Sequence, residues 1–311
     1  MNLVSLDFAA ILALCVILGA NNLSTCLGTS IGVRRLRYSR AVALASIALM
    51  AGILLEGRKL SGAITRGIVP SGDSQLTLTV AISSLILMAF FTYRRLPISL
   101  SQVAVGAAVG AAIAQAVRVD WVFTGIIASS WIFTPLAGYV AASAISILAR
   151  RVGRKVKGLF TQNIMYSYLT ILSGMYAAYT LGANTVGLLT GMTADATSNP
   201  FLVSIVLGLA TIVGMVALSK GTTLSVAENI VGLNPSGSFA AQMGGAVTVH
   251  GFTQFGIPVS VSQAVVGGVF GAAIARKIVV RNDRLTREIM IGWTVAPVIG
   301  ALLAMLLSFA L

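Results

Sequence analysis

Four short polar stretches interrupt an otherwise apolar chain, and they form two matching pairs. Gly19-Ala20-Asn21-Asn22 returns as Gly182-Ala183-Asn184-Thr185, 163 positions later. Pro97-Ile98-Ser99-Leu100-Ser101-Gln102 returns as Pro258-Val259-Ser260-Val261-Ser262-Gln263, 161 positions later. Amides and hydroxyls donate hydrogen bonds without carrying charge. Proline suits the first turn of a helix and serine its N-cap, so each Pro-x-Ser-x-Ser-Gln stretch reads as a helix start. Helix starts present N–H groups that favour an anion. Matched polar breaks in two halves of an apolar chain point to a ligand site between the repeats of a membrane carrier. The candidate substrate-binding residues are Asn21, Asn22, Ser99 and Ser101, with Asn184, Thr185, Ser260 and Ser262. Thr25, Gln102 and Gln263 stand behind them. A weaker third pair sets Gly57-Arg58-Lys59-Leu60-Ser61 against Gly221-Thr222-Thr223-Leu224-Ser225.

The elements that must position these residues follow from composition. The chain has 311 residues, of which 57% are hydrophobic and 9% charged. A soluble domain carries roughly 25% charged residues, so most of this surface must face lipid. Apolar passes occupy about 5–33, 41–56, 74–93, 97–117 and 121–149, then about 160–193, 199–219, 238–255, 258–275 and 286–311, each read at roughly 20 residues per crossing. Five passes per half is an odd number, so the second half enters from the opposite side. The expectation is an all-α membrane protein of two inverted-topology repeats, 1–157 and 158–311, with discontinuous helices and about 8–10 spans. The two Pro-x-Ser-x-Ser-Gln segments read as re-entrant hairpins if they do not cross. Glycine and asparagine inside a spanning helix are unfavourable unless used, so breaks are expected at Gly19–Asn22 and at Gly182–Thr185.

The formal net charge is +13, which could suggest nucleic acid. The positions argue otherwise. Arg34, Arg35, Arg37 and Arg40 form one cluster, Arg94 and Arg95 a second, residues 150–157 a third, and Arg276, Lys277, Arg281, Arg284 and Arg287 a fourth. With the N-terminus outside, these clusters and Lys220 put 17 of 21 basic residues on one side. That is the positive-inside pattern of a multi-pass protein in the plasma (inner) membrane, with cytoplasmic basic loops and lipid as its solvent. Asp7 and the lack of early positive charge argue against a cleaved signal peptide. Cys15 and Cys26 read as small packing residues.

The chain resembles the inorganic phosphate transporter (PiT) family, which includes sulfate permeases. That family carries Gly-Ala-Asn-Asp-x-x-Asn and Pro-Val-Ser-Thr-Thr-His in each half, and Pro235-Ser236-Gly237-Ser238-Phe239-Ala240-Ala241 also looks like a family segment. The resemblance covers nearly the whole chain. It implies a secondary transporter working by alternating access, with family carboxylates contacting phosphate and its coupling sodium ions. Here Asn22 and Thr185 replace both aspartates, Thr25 and Leu188 replace the later asparagines, and Gln102 and Gln263 replace the histidines. Hydrogen phosphate carries protons that a carboxylate can accept, whereas sulfate carries none. A carboxylate repels sulfate by about 4 kcal/mol for unit charges ~4 Å apart at an effective dielectric near 20. Neutral Asn22 and Thr185 therefore favour sulfate, with phosphate as the alternative. The same losses favour a proton over sodium as coupling ion. Glu56 and Glu228 are the coupling candidates, because an ionisable group at membrane depth is functional by default; an interfacial, solvated carboxylate is the competing reading.

Bland readings stand beside each site residue. Asn21 and Asn184 could cap helices or bond across an interface, the four serines could be small packing residues, and the lone His250 could be an ordinary helix residue instead of a proton carrier. With one histidine and few carboxylates, neither a catalytic acid–base pair nor metal-ligand spacing is visible. The sequence reads as no enzyme, with no cofactor, no metal and no nucleic-acid partner; a homodimer is left open. A non-transporting sensor or scaffold is the reading from another class. The matched His-to-Gln change in both halves favours a retuned site over decay.

Overall fold

The structure, a computed structural model, describes residues 3–32, 37–64, 68, 73–96, 98–193, 199–223, 233–277 and 283–310. Glu228 and Pro97 lie outside the described residues.

The described elements are helical. The first half contributes α1 (Leu3–Gly32), α2 (Tyr38–Glu56), which runs into a 3-10 turn (Gly57–Lys59), α3 (Ser74–Tyr93), α4 (Leu100–Ala114) and α5 (Trp121–Gly153). The second contributes α6 (Leu159–Leu181), a π turn (Gly182–Val186) leading into α7 (Gly187–Met192), then α8 (Pro200–Leu218), α9 (Pro235–Gln254), α10 (Val261–Ala275) and α11 (Asp283–Ser308). Side chains cap the helix starts. Asp73 accepts from the Leu76 N–H, and Asn234, 161 positions on, accepts from the Gly237 N–H. Each cap satisfies one N–H that the first turn leaves without an intrahelical partner.

Among the described residues, six helical segments are long and apolar enough to cross a membrane: Leu6–Gly28, Tyr38–Lys59, Ser74–Tyr93, Trp121–Gly153, Pro200–Leu218 and Arg287–Ser308. The passes expected at 97–117 and 258–275 are 15-residue helices, α4 and α10. At 1.5 Å per residue each is about 22 Å long, short of the roughly 30 Å hydrocarbon core. Each follows α3 or α9 through a tight turn, as a re-entrant hairpin does.

One expected break is corrected. α1 runs unbroken through Gly19–Asn22, and only the second copy departs from α geometry, as the π turn at Gly182–Val186. The glycines in these motifs serve clearance. A Cβ on Gly19 would lie 1.9 Å from the Thr211 carbonyl oxygen of α8, and one on Gly182 would lie 2.1 Å from the Leu49 carbonyl oxygen of α2. A helix of the other half therefore presses on each motif.

The backbone repeats even where residue types do not. Arg95 (φ 57°) pairs with Gly256 (φ 67°), and Ala116 (φ 55°) pairs with Lys277 (φ 56°), each 161 positions apart. These left-handed conformations end α3, α4, α9 and α10 in the same way. The halves also interlock. α4 packs on α11 and α10 packs on α5, so each short helix lies against the last long helix of the other half. Gly106 faces the Pro297 carbonyl and Gly267 faces the Pro135 carbonyl, with a Cβ placed 2.1 Å from the oxygen in both.

Candidate functional site

The polar repeats assemble around the two hairpin turns. The Asn21 side chain, in α1, donates to Thr92 Oγ1 (3.1 Å) and to the Leu96 carbonyl (3.0 Å), and its Oδ1 accepts from the Ile98 N–H (3.1 Å). Asn184, in the π turn, donates to Thr253 Oγ1 (2.9 Å) and to the Ile257 carbonyl (3.2 Å) and accepts from the Val259 N–H (3.1 Å). The two sets of partners are 161 positions apart throughout. Each asparagine thus pins the extended segment that enters the short helix, satisfying backbone groups that would otherwise be orphaned in the membrane. Both N–H bonds of each amide are committed to the fold. In this state Asn21 and Asn184 hold the site in shape and do not offer those protons to a ligand.

The short helices begin identically. Ser99 Oγ accepts from the Gln102 N–H (3.3 Å) and lies 3.0 Å from Ser101 Oγ. Ser260 Oγ accepts from the Gln263 N–H (3.1 Å) and lies 3.0 Å from Ser262 Oγ. All four serines are buried. A serine at the N-cap with a second hydroxyl one residue into the helix leaves polarised O–H groups at the positive end of the dipole. Asn22 is buried and donates to its own helix at the Leu18 carbonyl (3.3 Å); Thr185 is also buried. Thr25 Oγ1 is buried without a partner.

Gln102 and Gln263 meet on one cavity of about 480 Å³, lined by α4, α5, α10 and α11. Trp131 and Pro135 of α5 and Trp293 and Pro297 of α11 complete its symmetric wall. None of its lining residues is charged. Gln102 Oε1, Gln263 Oε1, Trp131 Nε1 and Trp293 Nε1 are each sealed from solvent with no hydrogen-bond partner. Buried polar groups are nearly always paired; these four belong to residues of the cavity wall, with the atoms themselves packed away from the open space. Sequence reasoning missed the tryptophans. Trp131-x-x-x-Pro135 returns as Trp293-x-x-x-Pro297, 162 positions later, and comparison at that spacing exposes them.

The coupling candidate Glu56 sits elsewhere, at the end of α2. His250 Nε2 lies 3.6 Å from Glu56 Oε2, Lys59 Nζ lies 3.5 Å from Oε1, and Gln254 Nε2 donates to Oε2 at 3.0 Å. The single histidine is thus a neighbour of the one coupling candidate within the described residues. Asp7, at the start of the Leu6–Gly28 segment, is a buried carboxylate that accepts from its neighbouring Phe8 N–H.

A membrane-embedded chamber between interlocked repeats, entered by two short helix starts, defines a carrier. The comparisons give its kind. The model of the Phosphate transporter family matches residues 18–304, and the chain belongs to that family. It is a secondary active transporter of an inorganic oxyanion and not an enzyme. A Methanocaldococcus jannaschii protein described as a phosphate permease is 28% identical over 98% of this chain and 97% of its own length. A sulfate permease of Bacillus subtilis is 24% identical over 93% of this chain and 83% of its own length. A solved structure titled "The sodium-dependent phosphate transporter" superposes with a TM-score of 0.87 over the whole of both chains at 19% identity. That likeness establishes the all-α, inverted-repeat membrane fold.

Proposed function

We propose that the protein carries inorganic phosphate by alternating access, driven by protons. The observation that carries this reading is the pairing of Trp131 and Trp293 with Gln102 and Gln263 in one cavity wall, residues that offer both donors and acceptors. Trp131 Nε1 and Trp293 Nε1 are donors, while Gln102 Oε1 and Gln263 Oε1 are acceptors. Hydrogen phosphate has P–O⁻ groups for the donors and P–OH groups for the acceptors. Sulfate could satisfy only the donors. The phosphate permeases among the relatives support the same choice.

Ser99, Ser101, Ser260 and Ser262 serve as the donors at the helix starts, with Asn22 and Thr185 beside them. Asn21 and Asn184 set their register, and Thr25, Gln102 and Gln263 form the surrounding shell. The repeats 1–157 and 158–311 rock about this centre, in the plasma membrane, with the basic loops in the cytoplasm. A proton is preferred over sodium because both family aspartates are neutral here, at Asn22 and Thr185. Those neutral residues also favour a second reading, sulfate as the substrate, through the lost repulsion, and the Bacillus subtilis relative is a sulfate permease.

The test is uptake of labelled phosphate into proteoliposomes under an inward proton gradient, a sodium gradient or neither, with sulfate as competitor. Proton-driven phosphate uptake that sulfate leaves intact is expected. Sulfate uptake that phosphate fails to block would replace the substrate, and sodium-driven uptake would replace the coupling ion. A sensor or scaffold would move neither anion under any gradient.

A further inference from the structure

The two ends of this pseudo-symmetric molecule differ in one chemical respect. Where α2 ends against the α9–α10 hairpin, Glu56 is drawn to Lys59, His250 and Gln254, and Lys59 Nζ also donates to Gln254 Oε1 at 2.5 Å. The glutamate comes from the first repeat and His250 and Gln254 come from the second, so the cluster bridges the two. Along the helices, Leu218 stands 162 positions after Glu56 and Ala89 stands 161 before His250, while the weaker repeat of Gly57 and Gly221 sets Lys220 against Glu56. With one histidine in the chain, a carboxylate–histidine bridge cannot recur at the other end.

We propose that Glu56 and His250 form a pH-sensitive inter-repeat latch that closes when the imidazole is protonated. This rests on the alternating-access reading above. A proton taken up by the imidazole on the Nε2 edge that faces Glu56 makes a cation–carboxylate pair across the α2–α9 joint. Its release breaks that N–H bond and leaves a neutral ring beside Glu56. His250 Nδ1 is sealed without a partner, so proton exchange runs through the Nε2 edge.

The surroundings suit this task. Tyr179 stacks on His250 with ring centroids 6.1 Å apart and planes at 12°, and Tyr176 lies 5.6 Å away at 40°. Two aromatic faces favour the cationic ring. From α6, Tyr179 also lies beside Glu56. Arg58 is exposed beside Lys59 in the 3-10 turn. α7, α8, α10 and the π turn carry no titratable side chain. On α1, Asp7 accepts from the Phe8 N–H, while Cys15 and Cys26 are buried. On α5, Tyr139, Arg150 and Arg151 are the titratable groups.

The latch is wired to the transport site. His250 lies one helical turn before Thr253, which receives the Asn184 amide. Gly57, next to Glu56, packs against Gly187, two residues from Thr185. A shift of α2 against α9 therefore reaches the second hairpin turn and the π turn together. The pH at that face thus biases the alternating-access movement, the proton being taken up and released on the same side.

The experiment exploits the single histidine, whose ring gives one set of labelled NMR signals in the whole, reconstituted protein. The ring signals of His250 are expected to respond to pH differently in the wild type and in Glu56→Gln. Exchange of internal for external phosphate, measured at equal pH on both sides, should persist in His250→Gln but lose the pH dependence that the latch gives it. Ring signals that ignore pH between about 5 and 9, or that respond identically in Glu56→Gln, overturn the latch. So does a His250→Gln protein whose exchange keeps the wild-type pH dependence. A wild type that exchanges no phosphate at any pH removes the alternating-access reading, and the latch with it. The titration in the wild type and in Glu56→Gln does not depend on the His250 variant folding.

Discussion

The turn between α3 and α4 and the turn between α9 and α10 are built from one plan, yet among the described residues only the second is tied to a carboxylate–histidine pair. Each turn is gripped by an asparagine through three hydrogen bonds to equivalent partners. Each opens into a short helix whose Ser-x-Ser start has the same 3.0 Å hydroxyl pair. Among the described residues, only the second turn has a neighbouring carboxylate, Glu56, and a histidine in its lead-in helix. Duplication repeats the gripped turn and the serine helix start in both halves. A pH response confined to one face needs a difference between the halves, and the Glu56–His250 pair lies outside the repeated motifs.

The sharpest way to break this comparison is to remove each grip. Asn21→Ala and Asn184→Ala each orphan several buried backbone and side-chain groups, and each is expected to cost about 3 kcal/mol or more and to abolish uptake. Thermal unfolding in detergent and phosphate uptake would check this. A large loss at one turn with none at the other would end the claim that they are equivalent.

Next in size are the helix crossings. Gly106→Val and Gly267→Val each place a Cβ 2.1 Å from a carbonyl oxygen and should destabilise by about 1–3 kcal/mol, again to a similar extent. Unequal melting temperatures would show that one short helix can yield and the other cannot. The serines come third. Ser101→Ala and Ser262→Ala are each expected to reduce uptake about tenfold, or ~1.4 kcal/mol of binding, with expression unchanged. A fully active double variant would remove the hydroxyl pairs from the transport site.

The smallest effect is expected at the end without a latch. Leu218 is 52% exposed, so Leu218→Ala should change stability by less than about 0.5 kcal/mol and leave the pH response of uptake as it is. A changed pH response in that variant would show that both ends sense protons.

The sequence alone determined the membrane solvent, the all-helical class and the duplication. These are properties of composition and of recurring local signals: apolar length, a proline–serine helix start, a spacing of 161–163. It also named the residues that gather at the turns, because polar side chains inside an apolar segment need a reason. It misread what some of them do. Gly19-Ala20-Asn21-Asn22 reads locally as a helix break, but the surrounding backbone decides the matter. Thr211 of α8 approaches too closely for any side chain, and Asn21 spends its amide on a turn 71–77 residues away. Such partners are distant in the chain, and no local pattern encodes them.

Tertiary structure likewise brought Gln102 and Gln263 to one chamber, set Trp131 and Trp293 around it, and joined Glu56 to His250 across 194 positions. A side chain's chemistry is fixed by its type. Whether its donors are spent or free, and which charge it meets, depends on the packing of helices from both halves.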